Sequence, residues 1–180
     1  WLAWSSSPLG ILWFLLLFPV LVLWQSTHLY FTHRLLHWKP LFRVAHALHH
    51  RNVNPGPWSG LSMHPIEHLS YFSTIVIHFV VASHPIHMMF HMYFTALAAI
   101  TAHTGYAGLV VKGKTVVRLG TFHHQLHHRY FDCNYGDDNT PWDQVFGSFH
   151  DGTPEATARV RAYQARKRGA KKTSATAESA

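Results

Sequence analysis

Three short segments of this 180-residue chain concentrate histidine at the spacing of metal ligands: HRLLH (33–37), HALHH (46–50) and HHQLHH (123–128). Histidine accounts for 18 residues and Asp plus Glu for only 8, so a site built from ligating side chains is rich in imidazole and poor in carboxylate. On a helix, positions i, i+3 and i+4 share a face, so His33 with His37, His46 with His49 and His50, and His124 with His127 and His128 can each project together. Adjacent histidines such as His49 and His50 diverge by about 100°, which lets neighbours serve two ions and points to a dinuclear site. One histidine on a helix is most often a satisfied polar residue. Three clusters at this spacing indicate metal binding, because imidazole is the commonest ligand nitrogen.

Imidazole suits zinc, iron, copper and nickel alike, so the number of ligands has to discriminate. A zinc hydrolase uses three protein ligands and one open position, fewer than these clusters offer, whereas two higher-coordinate iron centres can use them all. The glutamate-based soluble di-iron bundles are excluded, since Glu67, Glu155 and Glu178 are the only glutamates and none stands in a Glu-x-x-His pair. The single Cys133 excludes a disulfide framework and cysteine-ligated clusters. No glycine-rich dinucleotide or flavin fingerprint occurs, so redox chemistry here needs electrons from a separate partner. Two other readings are a non-enzymatic membrane metal-handling protein and a zinc-dependent membrane hydrolase. Transport predicts ligands midway along spanning helices with acidic companions, and these clusters lie beyond the apolar runs.

The elements that must position the histidines are apolar. SSSP (5–8) starts a helix that continues through LGILWFLLLFPVLVLW (9–24) to about Tyr30, long enough to cross a bilayer, with Trp4 and Trp24 placed to mark its interfaces. Stretches 66–82 and 86–102, divided by Ser83, His84 and Pro85, predict a helical hairpin, either spanning or a re-entrant or buried pair, since each arm is short and carries histidines; a spanning pair returns the chain to the side it left. The clusters then share one face with Arg34, Lys39, Arg43, Arg51, Lys112, Lys114, Arg118 and Arg129, which the positive-inside rule makes cytoplasmic. His68, His78, His84, His87 and His91 fall inside the hairpin and are expected to be polar cavity linings rather than ligands.

NVNPGPWSG (52–60) predicts a loop, and LVVKGKTVVRL (109–119) a small hairpin turning at Lys112-Gly113. After Gly152 a short helix (153–168) is expected to decay into a disordered, basic and alanine-rich tail. Net charge is +7, and RKRGAKK (166–172) with the apolar runs favours acidic lipid headgroups; no nucleic-acid partner is expected. The expected fold is all-α: a transmembrane helical bundle (1–152) under a cytoplasmic, histidine-rich helical cap holding a dinuclear metal site, with 153–180 as an appendage. Because the chain begins at Trp1, native residues are expected upstream.

Over about residues 24–150 the chain resembles the fatty acid hydroxylase/sterol desaturase superfamily of membrane di-iron enzymes. The resemblance rests on HRLLH, HALHH, HPIE (64–67), HTGYAG (103–108), HHQLHH and NYGDDNTPWDQVFGS (134–148), in that order. It implies that His33, His37, His46, His49, His50, His124, His127 and His128 are metal ligands, and His103 a ninth. Some members carry a further histidine four residues from this ninth position, where Ala99 and Ala107 stand here; His123, His64 and His28 are then candidates for a tenth ligand. Glu67, Asp132, Asn134, Tyr135 and Asp143 are expected to orient the ligands, Asp137 and Asp138 to cap loops or accept from rings, and Trp142 and Phe146 to pack. The implied cofactors are two iron ions, with O2 as co-substrate and zinc able to replace iron in preparations. The implied partners are a membrane lipid of sterol or fatty-acyl type and an external donor, either a cytochrome b5-like protein or a ferredoxin with its reductase. The implied reaction is hydroxylation or desaturation.

Overall fold

A computed structural model describes residues 7–106, 108–118 and 121–178 and is mostly helical. Trp1, Trp4 and Ala107 lie outside the described residues. Helix α1 (Pro8–Leu36) begins where the Ser7 hydroxyl accepts the Gly10 N–H at 3.1 Å and Pro8 occupies the first turn, where no N–H partner is needed. Among the described residues α1 is the one helix both long and apolar enough to cross a membrane. Only 22% of its most apolar window is buried, and Leu9, Leu12, Leu15, Leu16, Val20 and Leu23 are exposed. A helix in the core of a water-soluble domain would bury that surface.

Beyond His37 the chain runs through α2 (Lys39–Leu41), a π-helical turn (Phe42–His46) and a 3-10 turn (His49–Arg51). The wide turn is closed by the Ala47 N–H on Phe42 O at 2.7 Å, the i to i+5 pattern that locally re-aims side chains. A further 3-10 turn (Pro57–Leu61) occupies the end of the segment expected as loop.

The apolar hairpin is present with unequal arms. Helix α3 (Pro65–Phe72) gives way to a 3-10 helix (Ser73–Phe79), so the stretch expected as one continuous helix over 66–82 is in two pieces. Thr74, Ile75, Val76 and Ile77 are all β-branched, and restricted side-chain rotation weakens an α-helix at such a run. Helix α4 (Pro85–Ala102) is continuous and is capped by the His84 side chain on the Ile86 N–H.

The hairpin lies alongside α1 in register. Trp13 Nε1 donates to Ala82 O, His87 Nε2 to Phe14 O and Trp24 Nε1 to Thr74 O, each at 2.9 Å; Thr95 Oγ1 donates to Gln25 Oε1 at 3.1 Å. The hairpin tip therefore sits near Trp13 and its open end near His33. Trp24, expected at an interface, also ties α1 to the hairpin.

Strands β1 (Gly108–Val111) and β2 (Lys114–Arg118) pair antiparallel about Lys112 and Gly113, both at positive φ (49° and 75°), the paired left-handed turn that fits strand twist. Helix α5 (Thr121–Tyr130) carries the last histidine cluster, and the short α6 (Trp142–Val145) follows. Helix α7 (Pro154–Glu178) is longer than the helix expected from 153–168.

Candidate metal centre

The histidines converge as two abutting groups. His33, His37, His46, His50 and His127 form one; His49, His103, His124 and His128 form the other, and within each the nearest ring nitrogens lie within 4.8 Å of one another. In the first group, Nε2 pairs such as His33 with His46, His37 with His50 and His37 with His127 are 3.1 Å apart. In the second, Nε2 of His103 is 3.2 Å from those of His49 and His128 and 3.1 Å from that of His124. The groups meet where the His50 and His128 rings approach to 4.6 Å.

The second and third clusters feed both groups, while the first, His33 and His37, feeds one. His33 with His37, His46 with His50, and His124 with His128 are i, i+4 pairs that stay together, while His49 and His127 turn to the other group. The four-residue step rotates a side chain by only about 40°, whereas adjacent residues diverge by about 100°, so neighbours fall on opposite sides of a shared wall.

The outward-facing nitrogens explain why the inward ones present lone pairs. His33 Nδ1 donates to Tyr135 O (2.7 Å), His127 Nδ1 to Cys133 O (2.6 Å), His103 Nδ1 to Ala99 O (2.7 Å), His128 Nδ1 to Asn52 O (3.1 Å) and His49 Nδ1 to Ser62 O (3.3 Å). His46 Nδ1 donates to Glu67 Oε1 at 2.8 Å. These bonds put the proton on Nδ1 and leave Nε2 bare, the tautomer that ligates. Bare Nε2 atoms about 3 Å apart cannot satisfy one another by hydrogen bonding, and a divalent cation among them turns the opposition into ligation. The donor set thus fits two transition-metal ions.

Burial keeps the rings neutral. It pushes His49 down to about 4, His103 to about 3 and His128 to about 2, with neighbouring rings adding to the shift at His103 and His128. His37, His46, His50, His124 and His127 are likewise lowered, first by burial and then by the adjacent imidazoles.

A cavity of about 430 Å³ opens beside both groups, touching His33 and His46 of one and His49, His103 and His124 of the other. Val22, Leu29, Phe94 and Leu97 give it apolar walls, with Glu67 and the Asp137–Asn139 loop as its acidic parts. Its size lies in the range of small-molecule sites.

The remaining expectations divide. None of the tenth-ligand candidates joins either group: His123 pairs with Asp138, His64 caps α3 on the Ile66 N–H at 3.2 Å, and His28 lies 2.9 Å from Ser73 Oγ. Glu67 does orient a ring of the first group, that of His46. Tyr135 does so through its main-chain carbonyl, and Asp143 acts one step back, accepting the Tyr135 N–H (2.9 Å), the Gly136 N–H (2.8 Å) and the Ser148 hydroxyl (2.6 Å). Asn134, at φ 51°, accepts from His150 N and donates to His150 O and His123 O, fixing the loop instead of a ring. Asp132 faces away, bound to Lys167 (2.8 Å) and Gln164 (3.1 Å) of α7. Asp137 accepts from Ser26 Oγ at 2.7 Å and from Asn139. Trp142 and Phe146 pack against Phe31. The hairpin histidines do not line this cavity: His78 bridges Ser83 and His91, His91 reaches Thr74, and His87 ties to Phe14. The carbonyls of Asn52, Ser62, Ala99, Cys133 and Tyr135 escape sequence reasoning altogether, because every residue type carries that acceptor.

The sequence model described as Fatty acid hydroxylase matches residues 18–148, a segment containing all nine converging histidines. The chain belongs to this family. Curated relatives include Delta(7)-sterol 5(6)-desaturases of Candida albicans (29% identical over 73% of this chain and 33% of the relative), Gibberella zeae (30%, over 71% and 39%) and Saccharomyces cerevisiae (29%, over 67% and 32%). The matched part of the chain thus spans about a third of the length of these relatives. No solved structure matches the chain.

Proposed function

We propose that this chain is the catalytic core of a membrane-embedded, O2-dependent non-haem di-iron oxidoreductase that hydroxylates or desaturates a lipid of sterol or fatty-acyl type. The observation that carries the reading is the pair of all-histidine groups set in the wall of one largely apolar cavity. His33, His37, His46, His50 and His127 would hold one iron, and His49, His103, His124 and His128 the other. When bound, the irons with O2 supply an oxidant strong enough for an unactivated C–H bond.

The chain's own groups do the rest. Val22, Leu29, Phe94 and Leu97 hold an apolar substrate against the site and keep water from it. The Nδ1 bonds to carbonyls and to Glu67 hold the rings in the ligating tautomer. Hydroxylation consumes O2, two electrons and two protons and yields an alcohol and water; desaturation consumes the same, removes two hydrogens from the lipid and yields two waters. The electrons come from an external donor, a cytochrome b5-like protein or a ferredoxin with its reductase. The likeness to Delta(7)-sterol 5(6)-desaturases supports a sterol-type substrate.

The exposed apolar face of α1 supports insertion in a bilayer, with the hairpin beside it in a multi-pass arrangement and the histidines at the cytoplasmic end, where Arg34, Lys39 and Arg43 lie. The test is direct. Iron-loaded protein in lipid nanodiscs, given a reductant, O2 and defined sterols or acyl lipids, is expected to yield products 16 mass units heavier or 2 lighter by about those integers on mass spectrometry. No oxidised lipid from fully iron-loaded protein would sink the reading.

A further inference from the structure

A second cavity, of about 520 Å³, lies between the 146–149 loop and α7, and three of its lining residues are arginines: Arg34, Arg159 and Arg166. Its one acidic residue, Asp132, is already engaged by Lys167 and Gln164. Among the described residues none of the three arginines forms an ion pair with a carboxylate. Arg34 stacks over the rings of Tyr30, Tyr135 and Phe146, while Phe146 and Tyr163 are each 48% exposed. Exposed arginine, tyrosine and phenylalanine around a shallow depression is the composition of a protein-docking surface rather than of a closed small-anion site.

The wall of this depression touches the metal site. Tyr135 lines it, and the Tyr135 ring lies 5.0 Å from that of His37, 5.4 Å from His127 and 6.0 Å from His33. One aromatic residue therefore separates a positively charged surface from three members of the five-histidine group. The face lies apart from the lipid cavity, so a partner seated on it leaves substrate access free.

We propose that this arginine-lined face is the docking surface for an acidic one-electron carrier protein, which delivers its electron past Tyr135 into the five-histidine group. The inference rests on the redox reading above and adds the place and chemistry of the partner. Each docking event oxidises one carrier and reduces the centre by one electron, so two events supply the two electrons of a turnover. Positive charge here steers an acidic partner and should do so less as salt rises. Arg159 and Arg166 belong to α7, beyond the segment matched by the family model, so the surface is completed by a part of the chain that the family match does not cover.

The experiment compares wild type with Arg159→Glu/Arg166→Glu, both exposed positions, as iron-loaded protein in nanodiscs of zwitterionic lipid. The probes are the soluble haem domain of a cytochrome b5 and a plant-type ferredoxin. At low ionic strength the variant should bind the preferred carrier at least tenfold more weakly and reoxidise it correspondingly more slowly, and added salt should close the gap. Turnover driven by dithionite should be unchanged. Equal carrier affinity in the two proteins, or no binding of either carrier to wild type at low salt, overturns the proposal. So does a variant that loses only its affinity for phosphatidylserine vesicles, which would make the face a lipid contact. Charge-dependent binding without any lipid oxidation would instead count against the enzymatic reading.

Discussion

His46 donates its Nδ1 proton to Oε1 of Glu67 across 2.8 Å, and both side chains are almost completely buried. Among the described residues it is the one contact in which a carboxylate, rather than a main-chain carbonyl, orients a ring of the two groups. Carboxylate partners of this kind raise ligand basicity, and losing one typically lowers metal affinity about 10–100-fold. Glu67→Ala should therefore release metal to a competing chelator at least tenfold more readily, and Glu67→Gln, whose amide oxygen still accepts, less so. Unchanged retention in the alanine variant would show that Glu67 does not support the site.

The two groups differ in size, five histidines against four. Removing one nitrogen should be felt more where fewer remain. His128→Ala is expected to lower bound metal from about two ions per chain toward one, with His50→Ala retaining more, as read by elemental analysis after gentle purification. Equal losses would mean that the groups do not bind independently.

Stability should depend on pH with a definite sign. Burial holds His49 at about 4 and His103 at about 3 in the folded chain, against about 6.5 for free imidazole. The unfolded chain then binds protons more readily, so the stability these residues permit is complete above about pH 6.5 and is lost as the pH falls from there through about 4 for His49 and about 3 for His103. Metal release should follow the same direction, because only neutral imidazole ligates. Thermal unfolding in detergent between pH 8 and about 4 checks this, and a flat profile would contradict buried neutral rings.

Gly60 marks where the 57–61 turn presses on the end of α4. A Cβ there would stand 2.1 Å from Ala99 O and 2.9 Å from His103 Nδ1, the same pair joined by a hydrogen bond. Gly60→Ala should cost about 2 kcal/mol or more and loosen His103, whereas Gly56→Ala, with open space around its Cβ, should be nearly neutral. Melting temperatures of the two variants decide it.

The sequence exposed the converging histidines because imidazole is scarce in ordinary proteins and here recurs at helical spacing; His103, a lone histidine, is reached only by family resemblance. A shared helical stripe would have kept His46, His49 and His50 together, yet His49 belongs to the other group. The divergence of adjacent residues anticipated that split, but not which partner each would join, since that depends on the π-helical turn at Phe42–His46 and on where α4 and α5 arrive. Hydropathy found the hairpin but not the break after Phe72, because apolarity says nothing of the rotamer crowding in Thr74–Ile77. Asp132 illustrates the opposite error: its closeness in sequence to the last cluster suggested a role that its contacts with α7 do not bear out.

Five of the nine rings are aimed by peptide oxygens, at Asn52, Ser62, Ala99, Cys133 and Tyr135. An alanine scan cannot delete such oxygens, so most of what sets the site's protonation would be silent in that experiment, Glu67 excepted. What can disturb it is a change of chain path: an inserted residue, a proline, or a methyl group where Gly60 leaves room for none. Efforts to retune this centre should accordingly alter loop length and backbone geometry before side chains.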